Sequence, residues 1–416
     1  MNYKNTLEFA QHLDASDGLK NYREQFFIPK QNSGEEYIYM CGNSLGLQPK
    51  KTQDFINQEI KDWAELGVEG HFNAKNPWLP YHEFLSHSYA KIVGANLSEV
   101  VAMNTLTVNL HLMMVSFYRP TPKRFKIIIE SDAFPSDIYA VESQIKHHGY
   151  RVQDALIKLS PRQGEFSIRT EDIQSVIQEQ GDEVALIMLG GVNYYTGQVF
   201  DFEEIISSAH NKSIKVGFDL AHAVGNIKLE LHKWGVDFAV WCSYKYLNSG
   251  PGSVAGAFIH ERNHNSNLPR FAGWWGHKKE TRFRMPNDFS AIESAEGWQL
   301  SNPPILSLAA IRASLSIFDE VGMDKLTEKS KNLTEYLLFL LDSIETERMQ
   351  IITPKKRGCQ LSIRVKNGNK LLFDKITEKG IIADWREPDV IRVAPVPLYN
   401  SFTDVFKFYS ILKQVL

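Results

Sequence analysis

The stretch FAVWCSYKYLNSGPG (residues 238–252) decides how the rest of the chain is read. Seven residues suited to a buried strand run into Lys245, whose ammonium resists leaving water, and a loop rich in Gly and Pro follows at once. In open α/β sheets, ligands sit beyond the carboxyl ends of the strands. A second buried stretch, GFDLAHAVG (217–225), closes on Asp219 in the same way. Taken singly, a strand-end lysine is a solvated surface group and a strand-end aspartate is a turn or cap residue. Taken together, with His222 three residues past the acid and Tyr244 just before the amine, they describe opposite charges facing one crevice.

Working outward, short apolar runs alternate with helical patterns from about residue 100 to 260. KIIIE (126–130), EVALIML (183–189), IKVGFDL (214–220), DFAVWCS (237–243) and SVAGAFIH (253–260) predict strands buried on both faces. DIYAVESQIKHHGY (137–150) and DFEEIISSAHNK (201–212) predict helices, the second with Asp201 and Glu204 spaced as a capping box. The alternation implies an α/β fold with a mostly parallel, helix-covered sheet. Past residue 305 a long helical stretch (305–345), strands at 360–365 and 390–395 and a last helix at 402–415 imply a small α+β domain. The expected organisation is an N-terminal segment 1–50 packing on the small domain, a large domain 51–304 and a small C-terminal domain 305–416.

Composition narrows the classes. Lys and Arg (46) nearly balance Asp and Glu (49) over 416 residues, so the net charge of −3 points to neither a nucleic-acid nor a membrane partner. Three widely spaced cysteines, Cys41, Cys242 and Cys359, fit a reducing compartment and argue against a disulfide scaffold or zinc knuckle, and no metal ligand is assigned. The polar, acid-bearing start MNYKNTLEFAQHLDASDG is unlike a signal peptide, and Arg312 breaks the apolar run 305–318. A cytoplasmic protein is expected.

The crevice suggests its own occupant. A lysine drawn out of water serves as a Schiff-base nucleophile. An acid opposite it pairs with the ring N–H of a pyridine and keeps that ring an electron sink. Both roles belong to the chemistry of pyridoxal 5′-phosphate. Its phosphate needs donors at a helix start. MNTLTVNLHLMMVSFY (103–118) offers Leu106 and Thr107 in a first turn, and SDAFPSDIY (131–139) offers Phe134 for stacking, with Ser136 and Asp137 opening a helix. Alone, each is an ordinary capped loop.

GFDLAHAVGN followed by WCSYKYLNSGPG resembles the fold-type-I, aspartate-aminotransferase-like pyridoxal-phosphate enzymes, and the closer resemblance is to the kynureninases. It extends through YMCGNSLGLQPK (39–50), WLPYHE (78–83), MNTLTVNLHL (103–112), FPSDIYA (134–140), YYTGQ (194–198), FAGWWGH (271–277), QLSNPPIL (299–306) and IRVAPVPLYNSF (391–402). The resemblance implies that Lys245 carries the cofactor and that Asp219 pairs with its ring nitrogen, with His222 close by. Leu106, Thr107, Phe134, Pro135, Ser136, Asp137 and Tyr244 match cofactor contacts, and Tyr244 is also a candidate for proton transfer. Trp274 and Asn302 match positions that reach the site from a neighbouring subunit, which implies a homodimer with shared sites. Arg392 matches the arginine that grips the substrate α-carboxylate, with Arg386 as the alternative. Gly190 stands where some relatives carry a serine contact.

Ser44, His71, Trp275 and Asn302 match positions around the substrate's aryl ring, and the His and Asn favour a 3-hydroxylated one. The implied reaction is hydrolytic Cβ–Cγ cleavage of L-kynurenine, 3-hydroxy-L-kynurenine or both, to anthranilate or 3-hydroxyanthranilate plus L-alanine. That places the chain in tryptophan catabolism or NAD synthesis. A cysteine desulfurase or aminotransferase is the alternative, but Cys359 directly precedes a predicted strand rather than lying on a mobile loop. A binding module that had lost its chemistry would be expected to have lost Lys245, Asp219 or Arg392.

Overall fold

The computed structural model describes residues 2–416. Seven strands form the large sheet: β1 (Val100–Ala102), β2 (Lys126–Glu130), β3 (Leu156–Leu159), β4 (Val184–Gly190), β5 (Lys215–Asp219), β6 (Phe238–Trp241) and β7 (Gly256–Ile259). Their order is β1-β7-β6-β5-β4-β2-β3. The five strands from β6 to β3 are parallel, and β7 is antiparallel to both of its neighbours.

Period-2 alternation sends successive side chains to opposite faces. In β4, Val184, Ile187 and Leu189 enter one core while Leu186 and Met188 enter the other. In β6, Ala239 and Trp241 take the first face and Phe238 and Val240 the second. Both faces are therefore apolar, which is why these strands read as unbroken hydrophobic runs. Each fully buried large side chain contributes about 1.5–3 kcal/mol.

The helices that matter below are α1 (Leu7–Ser16), α2 (Leu106–Phe117), α3 (Pro135–His147), α4 (Phe202–Asn211), α5 (Ile305–Val321), α6 (Met323–Asp342) and α7 (Phe402–Val415). α2 covers one face through Leu110, Met113 and Phe117, and α4 covers the other through Ile205, Ile206 and Ala209. No helix among the described residues is long and apolar enough to cross a membrane.

A second sheet of four antiparallel strands, β8 (Met349–Ile351), β9 (Leu361–Val365), β10 (Asp384–Arg386) and β11 (Val390–Val393), has the order β10-β11-β9-β8. Ala10 and Leu13 of α1 enter its core beside Val405 and Phe408 of α7. Ile38–Tyr39 pairs in parallel with Ile381–Ile382. Asp14 also caps α7, accepting the N–H groups of Phe402 at 2.6 Å and Thr403 at 3.0 Å. Asp14→Ala leaves those donors without that cap, so a loss of about 1–2 kcal/mol is expected in denaturant unfolding. An unchanged midpoint would mean that Ser401, which accepts from Asp404 at 3.0 Å, suffices alone.

The structure departs from the sequence reading at four places. The stretch 305–345 is two helices, because Gly322 (φ +79°) ends α5 in a backbone conformation that non-glycine residues rarely adopt. β1 and β3 were not expected: each is short, and β3 lies at the sheet edge with Lys158 turned to solvent. β8 and β10 escaped for the same reason of length. The capping box at α4 is absent, since the Asp201 side chain makes no capping bond and pairs with Lys356 at 3.1 Å. A tertiary ion pair took a side chain that local pattern had assigned to its own helix.

Candidate active site at the strand ends

β2, β4, β5 and β6 lie side by side and run in one direction, so their carboxyl ends share one edge. The register places Gly190 beside Asp219 and Asp219 beside Val240. Glu130 ends β2, Gly190 ends β4, Asp219 ends β5, and Lys245 follows four residues after β6. A single cavity at this edge is lined by Glu130, Gly190, Asp219 and Lys245, together with Leu106, Thr107, Phe134, Ser136, Asp137, Tyr194, His222 and Tyr244. The amine and the acid therefore meet in one crevice.

Charge inside the crevice is set by burial. Lys245 Nζ stands 3.0 Å from His222 Nε2. Burial, and then the lysine charge, hold His222 well below its ordinary range, so its neutral ring accepts from the ammonium. Burial pushes Asp219 up, opposed by the Ala221 N–H at 2.7 Å and by Lys245. Burial and the neighbouring Asp219 raise Asp137 well above its ordinary range. Glu130, also raised by burial, titrates at about 8 and accepts the Gly190 N–H at 3.2 Å. Asp137 Oδ1 and His222 Nδ1 are buried without a partner.

The rim is built from helix starts. Thr107 Oγ1 and Ser136 Oγ lie 2.8 Å apart, joining the first turns of α2 and α3. First-turn N–H groups have no acceptor within their own helix, which makes such a junction a site for an anion. Pro135 occupies N1 of α3 and is exposed, and it does not line the cavity. Phe134 meets Tyr194 edge-on at 5.3 Å, and Lys245 Nζ lies 5.9 Å from its ring centre. A flat pyridine ring with a phosphate arm fits this set: unpaired polar atoms deep inside, an aromatic flank and an anion site at the mouth.

The lysine loop is held from outside by the NSLGL segment. Gly46 N–H donates to Tyr244 O at 2.9 Å, and a Cβ there would collide with Lys245 O and Asn248 Oδ1. Gly46→Ala must therefore move the main chain that carries Lys245. A loss of activity of at least about tenfold, with the fold intact by circular dichroism, is expected, because small misplacements of reacting groups are costly.

Arg392 of β11 is fully buried, donates to Tyr194 O at 2.5 Å and pairs with Asp384. Arg386 reaches the same Asp384 at 3.0 Å with a third of its side chain exposed, and Ser44 Oγ donates to Asp384 at 2.7 Å. Neither Arg392 nor Ser44 lines the Lys245 cavity in the single chain, and nor do His71, Trp274, Trp275 and Asn302. His71 Nδ1 is 2.9 Å from Val68 O, with its ring edge-on to Trp78. Trp275 is buried under the Arg282 guanidinium, while Trp274 (40% exposed) and Asn302 lie on the surface.

Glu130, Tyr194 and Asp384 were missed in the sequence. Glu130 closes KIIIE as Asp219 closes its own strand, so the same strand-end rule finds it. Tyr194 lies within the quoted YYTGQ stretch, but nothing local marks it as a cavity wall. Asp384 has no signal, since it sits on a strand too short to recognise.

A family profile described as the kynureninase C-terminal domain matches residues 326–412. A kynureninase of Flavobacterium psychrophilum is 55% identical, covering 100% of this chain and 99% of its own length. That of Myxococcus xanthus is 55% identical over 99% of this chain and 97% of its own, and that of Nematostella vectensis 47% identical over 97% and 93%. The chain belongs to the kynureninase family. Among solved structures, a cysteine desulfurase from Thermococcus onnurineus aligns with TM-score 0.78 at 16% identity, covering 95% of this chain and 97% of that one. The cystine C–S lyase C-DES aligns with TM-score 0.77 at 15% identity, covering 91% and 97%. At that distance they show the fold alone, which is that of the fold-type-I pyridoxal-phosphate enzymes. The cysteine weighed for the desulfurase alternative is out of reach in this kynureninase-family chain. Cys359 is fully buried, and burial pushes its thiol up to about 12.

Proposed function

We propose that the chain is a pyridoxal-phosphate-dependent kynureninase that adds water across the Cβ–Cγ bond of L-kynurenine, 3-hydroxy-L-kynurenine or both, releasing L-alanine and the aromatic acid. The observation that carries this reading is the meeting of Lys245 and Asp219, from adjacent parallel strands, in one cavity rimmed by two helix starts. When bound, pyridoxal phosphate supplies an aldehyde for an amine and a ring that draws electrons from the substrate's α-carbon.

The chain's own residues do the rest. Lys245 would hold the cofactor through Nζ, and as a free amine it would take and return the substrate's α-proton at that atom. Neutral His222 orients that amine through Nε2. Asp219 would pair with the ring nitrogen and keep it protonated, with Asp137 beside it in the cavity lining. The hydroxyls of Thr107 and Ser136 and the first-turn N–H groups hold the phosphate. Burial keeps the Tyr244 phenol protonated well past neutrality, which suits it to donate a proton at the substrate carbonyl. Arg392 takes the α-carboxylate in a two-point fork, with Asp384 as the partner it exchanges.

Two copies complete the site, with the exposed Trp274 and Asn302 reaching the partner's crevice. His71 and Asn302 then face the aryl ring and favour a 3-hydroxyl. Anthranilate and 3-hydroxyanthranilate release from the two substrates, measured beside sulfide release from cysteine, tests the reading. Sulfide without aromatic product would replace it with a desulfurase.

Glu130 gives a prediction on pH. A carboxyl raised from 4.5 to about 8 binds more protons folded than unfolded, so its effect is absent at low pH and destabilises as pH rises between those values. In cofactor-free protein, Glu130→Gln should therefore melt progressively higher than the parent from pH 5 to 8, with the gap level beyond. A gap that does not change with pH would mean Glu130 is ionised in the folded protein throughout that range.

A further inference from the structure

A wide cleft lies away from the strand-end cavity. It holds about 890 Å³ between the large sheet's covering layer and the small domain. Five cationic side chains and three carboxylates line it. Lys228 is paired with Asp324 at 2.8 Å, Lys356 with Asp201 at 3.1 Å, and Lys331 with Glu335 at 3.9 Å. Among the described residues, Lys355 and Arg357 pair with no carboxylate. The Arg357 guanidinium has only neutral partners, Lys355 O at 3.1 Å and Thr334 Oγ1 at 3.4 Å, and its buried Nε has none. Glu335, also on the cleft lining, acts on Arg357 only from beyond ion-pair distance, so the planar fork stays unpaired and fits a carboxylate.

The lining also has an aromatic part. Trp234 lines the cleft and stacks on Phe202 with ring centres 4.8 Å apart and planes 17° from parallel. Hydrogen bonds run from the cleft lining towards Lys245. Asn226, on that lining, accepts from Cys359 N at 2.9 Å and donates to His222 O at 2.8 Å, and His222 Nε2 is the partner of Lys245. Segment 355–358 is tied to the large domain by Val199 N–H donating to Lys356 O at 3.1 Å. An occupant that shifts this segment pulls on Asn226, and through it on His222.

We infer that this cleft is an effector site for a small planar aromatic carboxylate, held by Arg357 and Lys355 against Trp234 and felt at Lys245 through Asn226. The test is calorimetric titration of the cofactor-loaded protein with benzoate, alongside its visible absorption at saturating benzoate. Benzoate binding at the cleft should weaken at least tenfold in Arg357→Ala and in Trp234→Ala, and severalfold in the exposed Lys355→Gln. The absorption change that benzoate causes in the parent should shrink in Arg357→Ala. Binding that is the same in all three variants overturns the site. Arg357-dependent binding with an unaltered absorption change overturns its link to the lysine, and cyclohexanecarboxylate binding as tightly as benzoate overturns the aromatic requirement. The binding measurement needs no turnover, so its failure is separate from any failure of the proposed reaction.

Discussion

Lys245→Ala is expected to remove the visible absorbance of protein-bound pyridoxal phosphate and to cut turnover by at least about 10³-fold, since the amine serves both as attachment point and as proton carrier. The crevice offers no replacement. Lys245 is the only ammonium among the residues lining the cavity, and its neighbour His222 is held neutral by burial. The variant should still fold, because Lys245 is only partly buried and lies in a loop after β6. Absorbance at full strength in Lys245→Ala would move the nucleophile elsewhere and dismantle the mechanism. Loss of absorbance with the fold intact by circular dichroism is the result that fits.

The second large effect separates two arginines. Arg392→Lys keeps the charge but removes the two-point fork, which should raise KM for the amino-acid substrate by roughly 30- to 150-fold, the equivalent of about 2–3 kcal/mol for a charge-assisted pair. Cofactor absorbance should stay, because Arg392 is not among the residues that line the cofactor cavity. Arg386→Lys should change KM by less than about threefold, since its side chain is a third exposed and solvent screens what it contributes. The pair is a fair contest: both arginines reach Asp384, and both lie about equally far from the Tyr194 ring, at 5.8 Å and 5.9 Å. The reverse ranking would give the carboxylate to Arg386.

Much of this was legible beforehand, and for a physical reason. A parallel strand buried on both faces must be apolar throughout, so a charge at its end stands out against its own neighbours. Lys245 and Asp219 are visible in that way, and so is Glu130 once the same rule is applied to β2. α2 and the final helix α7 were legible from their apolar faces and polar starts. Short edge pieces such as β3 and β10 were not, because three or four residues carry too little pattern to separate a strand from a loop.

By itself, then, the sequence determined the helix-covered parallel sheet, the amine and acid at its strand ends, and the family, because each is written in the local contrast between apolar runs and the groups that end them. The tertiary structure alone decided what those groups meet. It set Asp137 against Asp219, placed Asp384 between two arginines from the same small sheet, took Asp201 from its helix to Lys356, and left Arg357 with no carboxylate at ion-pair distance. Those partners lie tens to hundreds of residues apart or on elements too short to recognise, and the interaction depends on distance and burial, which only the folded chain sets.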